Sequence, residues 1–276
     1  MAMRSALASV LAICCAATLI TAPAGAADPV PNPLQDSASW QDMRGDILGD
    51  VPISDGASLL QMDAPYRAND AATVPLVLTQ TDASAVIHRA TVVIDENPAP
   101  VAAEFDFSEA MAPLEFELRV RVNQYSNVRV ITETDAGIQM IGRYVKASGG
   151  CSAPASKNPE LALESMGQMK LRMFPQAAAP MTPMRREAQI MLRHPNYSGL
   201  QRDQITQLFI PAHFIDHLEV WQGEERLFSM DGGISISENP VFRFRYLDNG
   251  APDLRIMATD TEGNTFDQTL PKAAEG

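Results

Sequence analysis

Few residues in this chain are able to do chemistry, and one stands apart from the rest. Ala147-Ser148-Gly149-Gly150-Cys151-Ser152-Ala153-Pro154 sets a thiol behind two glycines and ahead of small residues. A thiolate is a nucleophile, and glycine removes side-chain bulk and frees φ and ψ. The spacing predicts an accessible thiol, Cys151, on a flexible arm made by Gly149 and Gly150. Such an arm is slim enough to enter a partner's cleft and be loaded covalently. Lys146 is close enough in sequence to favour the thiolate modestly.

The other candidates are weaker. His213 and His217 would share a helical face and could hold a metal. Pro211 and the strand-like flanks favour extended chain instead, which sets the two imidazoles roughly 13 Å apart at a rise of ~3.3 Å per residue. No metal pair is expected there. His88 and His194 are solitary, and His194, just before Pro195, reads as structural. Met166, Met169, Met173, Met181 and Met184 crowd one segment; thioethers suit Cu(I), but they also fill irregular gaps where domains meet, which is the reading adopted. Glu104, Asp106, Glu115 and Glu117 alternate with apolar residues as on a solvated sheet face, and the alternation of Leu114–Val122 puts Arg119 and Arg121 outside as well. The sequence has no Ser-His-Asp spacing, phosphate-binding glycine loop or zinc-ligand pattern. The expectation is a protein without cofactor that is not itself an enzyme.

Residues 1–26 read as a secretory signal peptide. Arg4 supplies the positive start, Leu7 to Ile20 the apolar run, and Ala24-Gly25-Ala26 the cleavage site. A lipoprotein site at Cys14 or Cys15 fits less well, because neither has a small residue before it. Cleavage after Ala26 predicts export to the periplasm and leaves Cys151 as the mature chain's one cysteine, unable to form an intrachain disulfide. It also takes the formal charge from -13 to -14, with 20 basic against 34 acidic side chains. That balance argues against nucleic acid and anionic membranes as partners. No later apolar run is long enough to span a bilayer.

The elements that must position Cys151 read as β. Residues 27–39, rich in proline, read as a disordered lead-in, and Trp40 to Leu48 as a short helix with Ser39 at its N-cap and Trp40 as its packing anchor. From Val74 the apolar period becomes two. Strands are expected at Val74–Leu78, Ala85–Ile94, Ala102–Phe107, Leu114–Val122, Val128–Thr132 and Ile138–Val145. Residues 151–184 read as arm and linker, holding a short helix from Pro159 to about Met166 and an alternating Gln168–Phe174. Strands resume at Glu187–His194, Gln207–Ile210, Leu218–Trp221, Arg226–Ser229, Val241–Tyr246, Leu254–Thr259 and Asn264–Leu270, with Ser235–Ser237 leading into Glu238-Asn239-Pro240. Glu96-Asn97-Pro98 recurs as Glu238-Asn239-Pro240, and Val128–Ile131 before Gly137 is matched by Leu254–Met257 before Gly263. The fold class predicted is all-β: two similar immunoglobulin-like sandwiches, residues 40–150 and 185–276, joined by a linker.

Specific runs also resemble a known family. Val74-Pro75-Leu76, Glu96-Asn97-Pro98-Ala99-Pro100, Val128-Arg129-Val130 and Val145 through Gly149-Gly150-Cys151 resemble the SoxY sulfur carriers. Arg193-His194-Pro195-Asn196-Tyr197-Ser198-Gly199, Ile210-Pro211-Ala212-His213-Phe214-Ile215 and Glu238-Asn239-Pro240 with Phe242 and Phe244 resemble SoxZ. The order resembles the fused SoxYZ-like carriers associated with quinoprotein (PQQ-dependent) dehydrogenases. The resemblance implies a periplasmic carrier whose cysteine, Cys151, takes thiosulfate or its oxidation products as a covalent adduct and presents them to Sox-type enzymes and cytochromes. It also implies that the SoxY-like and SoxZ-like parts pair within the chain. The alternative it leaves open is a non-catalytic docking subunit of a periplasmic quinoprotein dehydrogenase. Unlike the SoxY arm, which ends in Gly-Gly-Cys-Gly-Gly at the chain terminus, this one runs on through Ser152 and is tethered at both ends.

Overall fold

The alternating apolar runs fold into two stacked sheets that share a single core. The computed structural model describes residues 31–154, 159–175 and 185–272. The expected signal peptide, Met181, Met184 and most of the two linker stretches lie outside these. The first half begins with α1 (Ala38–Leu48), capped by the Ser37 hydroxyl, which accepts from Trp40 N–H at 3.1 Å. The cap is thus two residues earlier than expected. Trp40 is buried against Val93 and Ile131, and the Arg129 guanidinium lies 4.5 Å above its ring. Then come β1 (Ile53–Asp55), β2 (Leu60–Asp63), β3 (Val74–Gln80), β4 (Arg89–Ile94), β5 (Val101–Phe107), β6 (Glu115–Val120), β7 (Ser126–Thr134) and β8 (Gly137–Val145).

The second half has α2 (Pro159–Glu164), β9 (Met169–Met173), β10 (Arg185–Leu192), β11 (Ile215–Gln222), β12 (Glu225–Gly232), β13 (Val241–Leu247), β14 (Asp253–Asp260) and β15 (Thr265–Pro271). The expected strand Gln207–Ile210 is a loop, as is the Ser235–Ser237 stretch. Gln207 has φ 61°, which turns the chain back on itself, and the backbone of 233–237 is spent on contacts with the first half. The short edge strands β1 and β2 escaped the alternation because three or four residues hold too few periods.

One sheet runs β1-β8-β7-β4-β5-β12-β11-β14-β15 and the other β2-β3-β6-β13-β10-β9. Each half is an immunoglobulin-like sandwich, and the halves are related element by element: β3 to β8 correspond to β10 to β15. The junction is more than a linker. β5 pairs with its counterpart β12, from Phe107 opposite Phe228 to Ala103 opposite Gly232, and β6 pairs with its counterpart β13. Each sandwich thereby covers the other's exposed sheet edges, a liability in a free β domain. Phe105, Phe107 and Phe116 meet Phe228, Phe242 and Phe244 at the seam, with centroid separations between 5.0 and 6.3 Å. Each such buried ring contributes about 1.5–3 kcal/mol.

The repeat inferred from the sequence is real, but one of its two signals is misleading. Val128–Ile131 and Leu254–Met257 do fall on corresponding strands, β7 and β14. Glu96-Asn97-Pro98 joins β4 to β5, whereas Glu238-Asn239-Pro240 joins β12 to β13, so these two turns are not counterparts. Their chemistry is convergent: each uses its asparagine amide to tie loops together, Asn97 to Arg121 O and Asn239 to His194 N–H.

Candidate functional site

Cys151 is 0% exposed. The expectation of an accessible thiol on a loose arm does not hold in this conformation. After β8 the chain threads between the 66–71 loop and the end of β6. Gly149 N–H donates to Asn123 O at 2.8 Å and Gly150 N–H to Val122 O at 3.1 Å, and residues 150–152 form a single 3₁₀ turn. The two glycines are required by fit. Gly149 has φ 79°, a left-handed conformation. A side chain on Gly150 would run into Ala71 O and lie 2.7 Å from Val122 O. A Gly-Gly pair in sequence reads equally well as flexibility or as close approach; here it is close approach.

The second half holds the other side of the turn. The Ser198 hydroxyl donates to Cys151 O, and Gln201 Nε2 donates to Ala153 O at 3.1 Å. Gln201 Oε1 accepts from Ser198 N–H at 3.0 Å, which fixes the pair. Beyond Gln201, residues 202–209 form a small hairpin, closed by a bridge between Arg202 and Phe209, that leaves Ile205, Leu208 and Phe209 exposed.

The residue that sequence reasoning missed is Arg121. Lys146, expected to act on the thiol, instead sets its ammonium 4.7 Å from the Tyr66 ring. Arg121 follows β6, whose alternation makes 120 and 122 core residues and left 121 assigned to solvent. It is 1% exposed. The loop from the second half fills the space where solvent was expected. Arg121 N–H donates to Ser235 O at 2.7 Å, and Nη1 donates to Ile236 O at 2.7 Å and Ile234 O at 3.2 Å. Asn97 stiffens the neighbourhood, donating from Nδ2 to Arg121 O at 2.7 Å and Ser235 Oγ at 2.8 Å and accepting from Asn123 N–H at 2.8 Å. Arg121 Nε and Ser237 Oγ are buried without a partner.

Electrostatics follow from this geometry. Burial pushes the Cys151 thiol up to about 11, against the opposing pull of the Arg121 guanidinium. Burial likewise lowers Arg121, with Cys151 and Glu238 working the other way. Burial and Glu238 raise Tyr197. The thiol in this state is neutral at ordinary pH, and its thiolate fraction is about a hundredfold below that of a free cysteine.

The histidines separate cleanly. His88 and His217 are exposed, pairing with Asp135 at 3.0 Å and Asp231 at 2.7 Å. His217 is not beside His213, in line with the extended-chain argument. His194 and His213, by contrast, are both buried and meet at Asp260. Burial lowers His194, opposed by its bond to Asp260. Burial alone would raise Asp260, but bonds from Asn264, His213 and His194 outweigh it and hold the carboxyl at about 2. The sequence separations, 19 and 47 residues, gave no hint of this convergence. Met169 is buried and Met173 packs on the core, as gap-fillers do. Asp106 pairs with Arg89, and Glu115 with Arg245 across the seam between the halves.

The model of the sulfur oxidation protein SoxY matches residues 44–151, and that of the sulphur oxidation protein SoxZ matches residues 177–271. No curated protein sequence matches the chain. Among solved structures, the sulfur carrier protein SoxY from Chlorobium limicola f thiosulfatophilum is similar at 26% identity, covering 39% of this chain and 94% of its own, with a TM-score of 0.33. A superoxide reductase (neelaredoxin) from Ignicoccus hospitalis is similar at 10% identity, covering 41% of this chain and 98% of its own, with a TM-score of 0.28. The two family models meet the two halves of one continuous sandwich, and the chain belongs to the SoxY and SoxZ families, fused in that order in a single polypeptide.

Proposed function

We propose that this protein is a periplasmic sulfur carrier that holds a thiosulfate-type intermediate covalently on Cys151 and presents it to partner enzymes, without catalysing their chemistry. The observation that carries this reading is that the SoxY match ends on Cys151, a residue buried near a guanidinium with an N–H to spare. Joining the thiolate to thiosulfate makes one S–S bond and releases two electrons, which a partner enzyme or cytochrome must accept. The adduct keeps a terminal sulfonate. Arg121 Nε is a donor of the kind a sulfonate takes up. Export after cleavage at Ala26 delivers the carrier to the periplasm, and the segment around Cys151, held between β8 and α2, serves as its tethered arm.

A buried thiol cannot meet a partner, so the carrier cycle requires an open state. Opening releases the bonds to Asn123, Val122, Ser198 and Gln201 while both ends of the arm stay attached. Mass spectrometry of the intact protein from its native periplasm tests the reading. The expected result is an added mass on Cys151 that reductant removes and that Cys151→Ser lacks. Uniformly unmodified protein, with function intact in the serine variant, would sink it.

The burial of Cys151 together with the exposed Ile205, Leu208 and Phe209 favours a second reading, a docking subunit of a quinoprotein dehydrogenase system. That reading predicts co-purification with the dehydrogenase that survives Cys151→Ala but fails when Ile205 and Phe209 are made polar.

A further inference from the structure

We propose that His194, His213 and Asp260 form a binding site for a divalent transition metal of the zinc class. The inference does not rest on the carrier reading. The three residues come from the loop after β10, the loop before β11 and the end of β14, and their ligand atoms all lie within 4.8 Å of one another. All three are buried, and the donor set is two imidazoles and one carboxylate, which suits zinc.

The hydrogen-bond arithmetic at His194 asks for a cation. The Asn196 amide is oriented by its own bonds: Nδ2 donates to Ser237 O at 3.0 Å, and Oδ1 accepts from Ile215 N–H at 3.1 Å. Oδ1 lies 2.7 Å from His194 Nδ1, so that contact needs a proton on Nδ1. Asn196 N–H also approaches Nδ1, at 3.0 Å, but the shorter contact between two acceptors cannot stand without the proton. With Nδ1 protonated, His194 Nε2 and Asp260 Oδ2, 3.3 Å apart, face each other in a buried site and share a positive centre, which a proton or a metal ion supplies. A hydrogen bond from the second ring nitrogen to an amide oxygen is also how metal-ligating histidines are commonly held.

The distances suit zinc after both histidines shift, because ligand atoms that lie within 4.8 Å of one another must close to tetrahedral edges. A tetrahedral ion with bonds of about 2.0 Å has ligand–ligand edges of roughly 3.3 Å, the His194–Asp260 separation. His213 Nε2, at 2.7 Å from the same oxygen, must retreat by roughly 0.6 Å, exchanging its N–H bond for a metal bond. Asp260 Oδ1 is occupied by the N–H groups of Glu262 and Asn264 at 3.0 and 2.9 Å, so the oxygen offered is Oδ2, which also accepts from Asn264 Nδ2 at 2.8 Å. The Glu262 carboxylate, exposed and 3.7 Å from His213 Nδ1, lies beside the ring nitrogen that does not bind the ion, and water takes the fourth position. Binding at His213 Nε2 leaves its ring proton on Nδ1, the nitrogen that faces Glu262.

The test is calorimetric titration of the full mature chain carrying Cys151→Ser, so that the thiol cannot be the ligand, with Zn(II) and then Co(II). We expect one equivalent bound with micromolar affinity or better, a tetrahedral Co(II) spectrum, and a melting temperature raised by either metal. Asp260→Asn and His213→Gln should each weaken binding at least tenfold, and His217→Gln, which removes an exposed histidine, should leave it unchanged. If the buried variants fail to fold, the Co(II) spectrum and the His217→Gln titration decide the matter. Absence of binding, an octahedral spectrum, retention in Asp260→Asn or loss in His217→Gln would each overturn the assignment.

Discussion

The two buried polar clusters of this molecule are short of opposite things. Around Cys151 a donor is to spare: among the described residues Arg121 Nε has no acceptor. Around Asp260 there are acceptors to spare, since Asn196 Oδ1 and Asp260 Oδ2 both approach one imidazole that carries a single proton when neutral. The sandwiches that carry them correspond strand for strand, so topology does not set the difference. The side chains that the loops bring together do. A cluster with an unmatched donor accommodates an anion, and one rich in converging lone pairs accommodates a cation. If the contrast is sound, the clusters fail independently: metal binding survives changes at Arg121, and the Cys151 adduct survives Asp260→Asn.

The largest effect is expected at Arg121. Arg121→Leu strands the carbonyls of Ile234 and Ile236 in a dry interior, at a cost of about 2–5 kcal/mol in urea denaturation. Arg121→Lys keeps the charge but loses the planar fork. It should fold with a smaller loss and still reduce adduct retention on Cys151 by tenfold or more. Equal adduct retention in the lysine variant would break the anion half of the comparison.

Next in size is Gly150→Ala. The new methyl meets Ala71 O and Val122 O, both fixed backbone atoms, so the turn must open at a cost of about 1–3 kcal/mol. Cys151 alkylation should then quicken at least tenfold. Gly149→Ala has open space around it and a left-handed φ, and should cost about 1 kcal/mol with a smaller rise in alkylation. Reversal of that order would mean the glycines serve mobility rather than fit.

What the sequence made legible was set by periodicity and by rare residues. Alternation in Leu114–Val122 and Val241–Tyr246 announced the sheets, and the Gly-Gly-Cys run singled out Cys151. The fusion of the sheets was not legible, because a strand that pairs with its counterpart across a seam alternates just as one at a free edge does. Arg121 was misassigned for the same reason: alternation says which side of its own sheet a residue faces, and nothing about a loop from 113 residues away that covers that side. His194, His213 and Asp260 sit in loops and at a strand end, where no period operates, so only tertiary structure brings them together.

The smallest predicted effect concerns the thiol itself and has a definite sign. The ordinary value for a cysteine here is 9.0, and burial raises it in the folded protein to about 11. The fold therefore favours the neutral thiol. Its contribution to stability is complete below about pH 9 and is lost as pH rises through about 11. Stability of the wild type should fall across that window relative to Cys151→Ser, once the decline common to both proteins is subtracted. Alkylation gives the sharper measurement. In the urea-unfolded chain the rate levels off near pH 9; in the native protein it continues to climb to about 11. That holds whether the reagent attacks the closed state or a rare open one, because the closed neutral thiol dominates the population that must ionise. A native profile that levels off near 9 would place Cys151 in water, and the donor left unmatched beside it would then have no enclosed anion to meet.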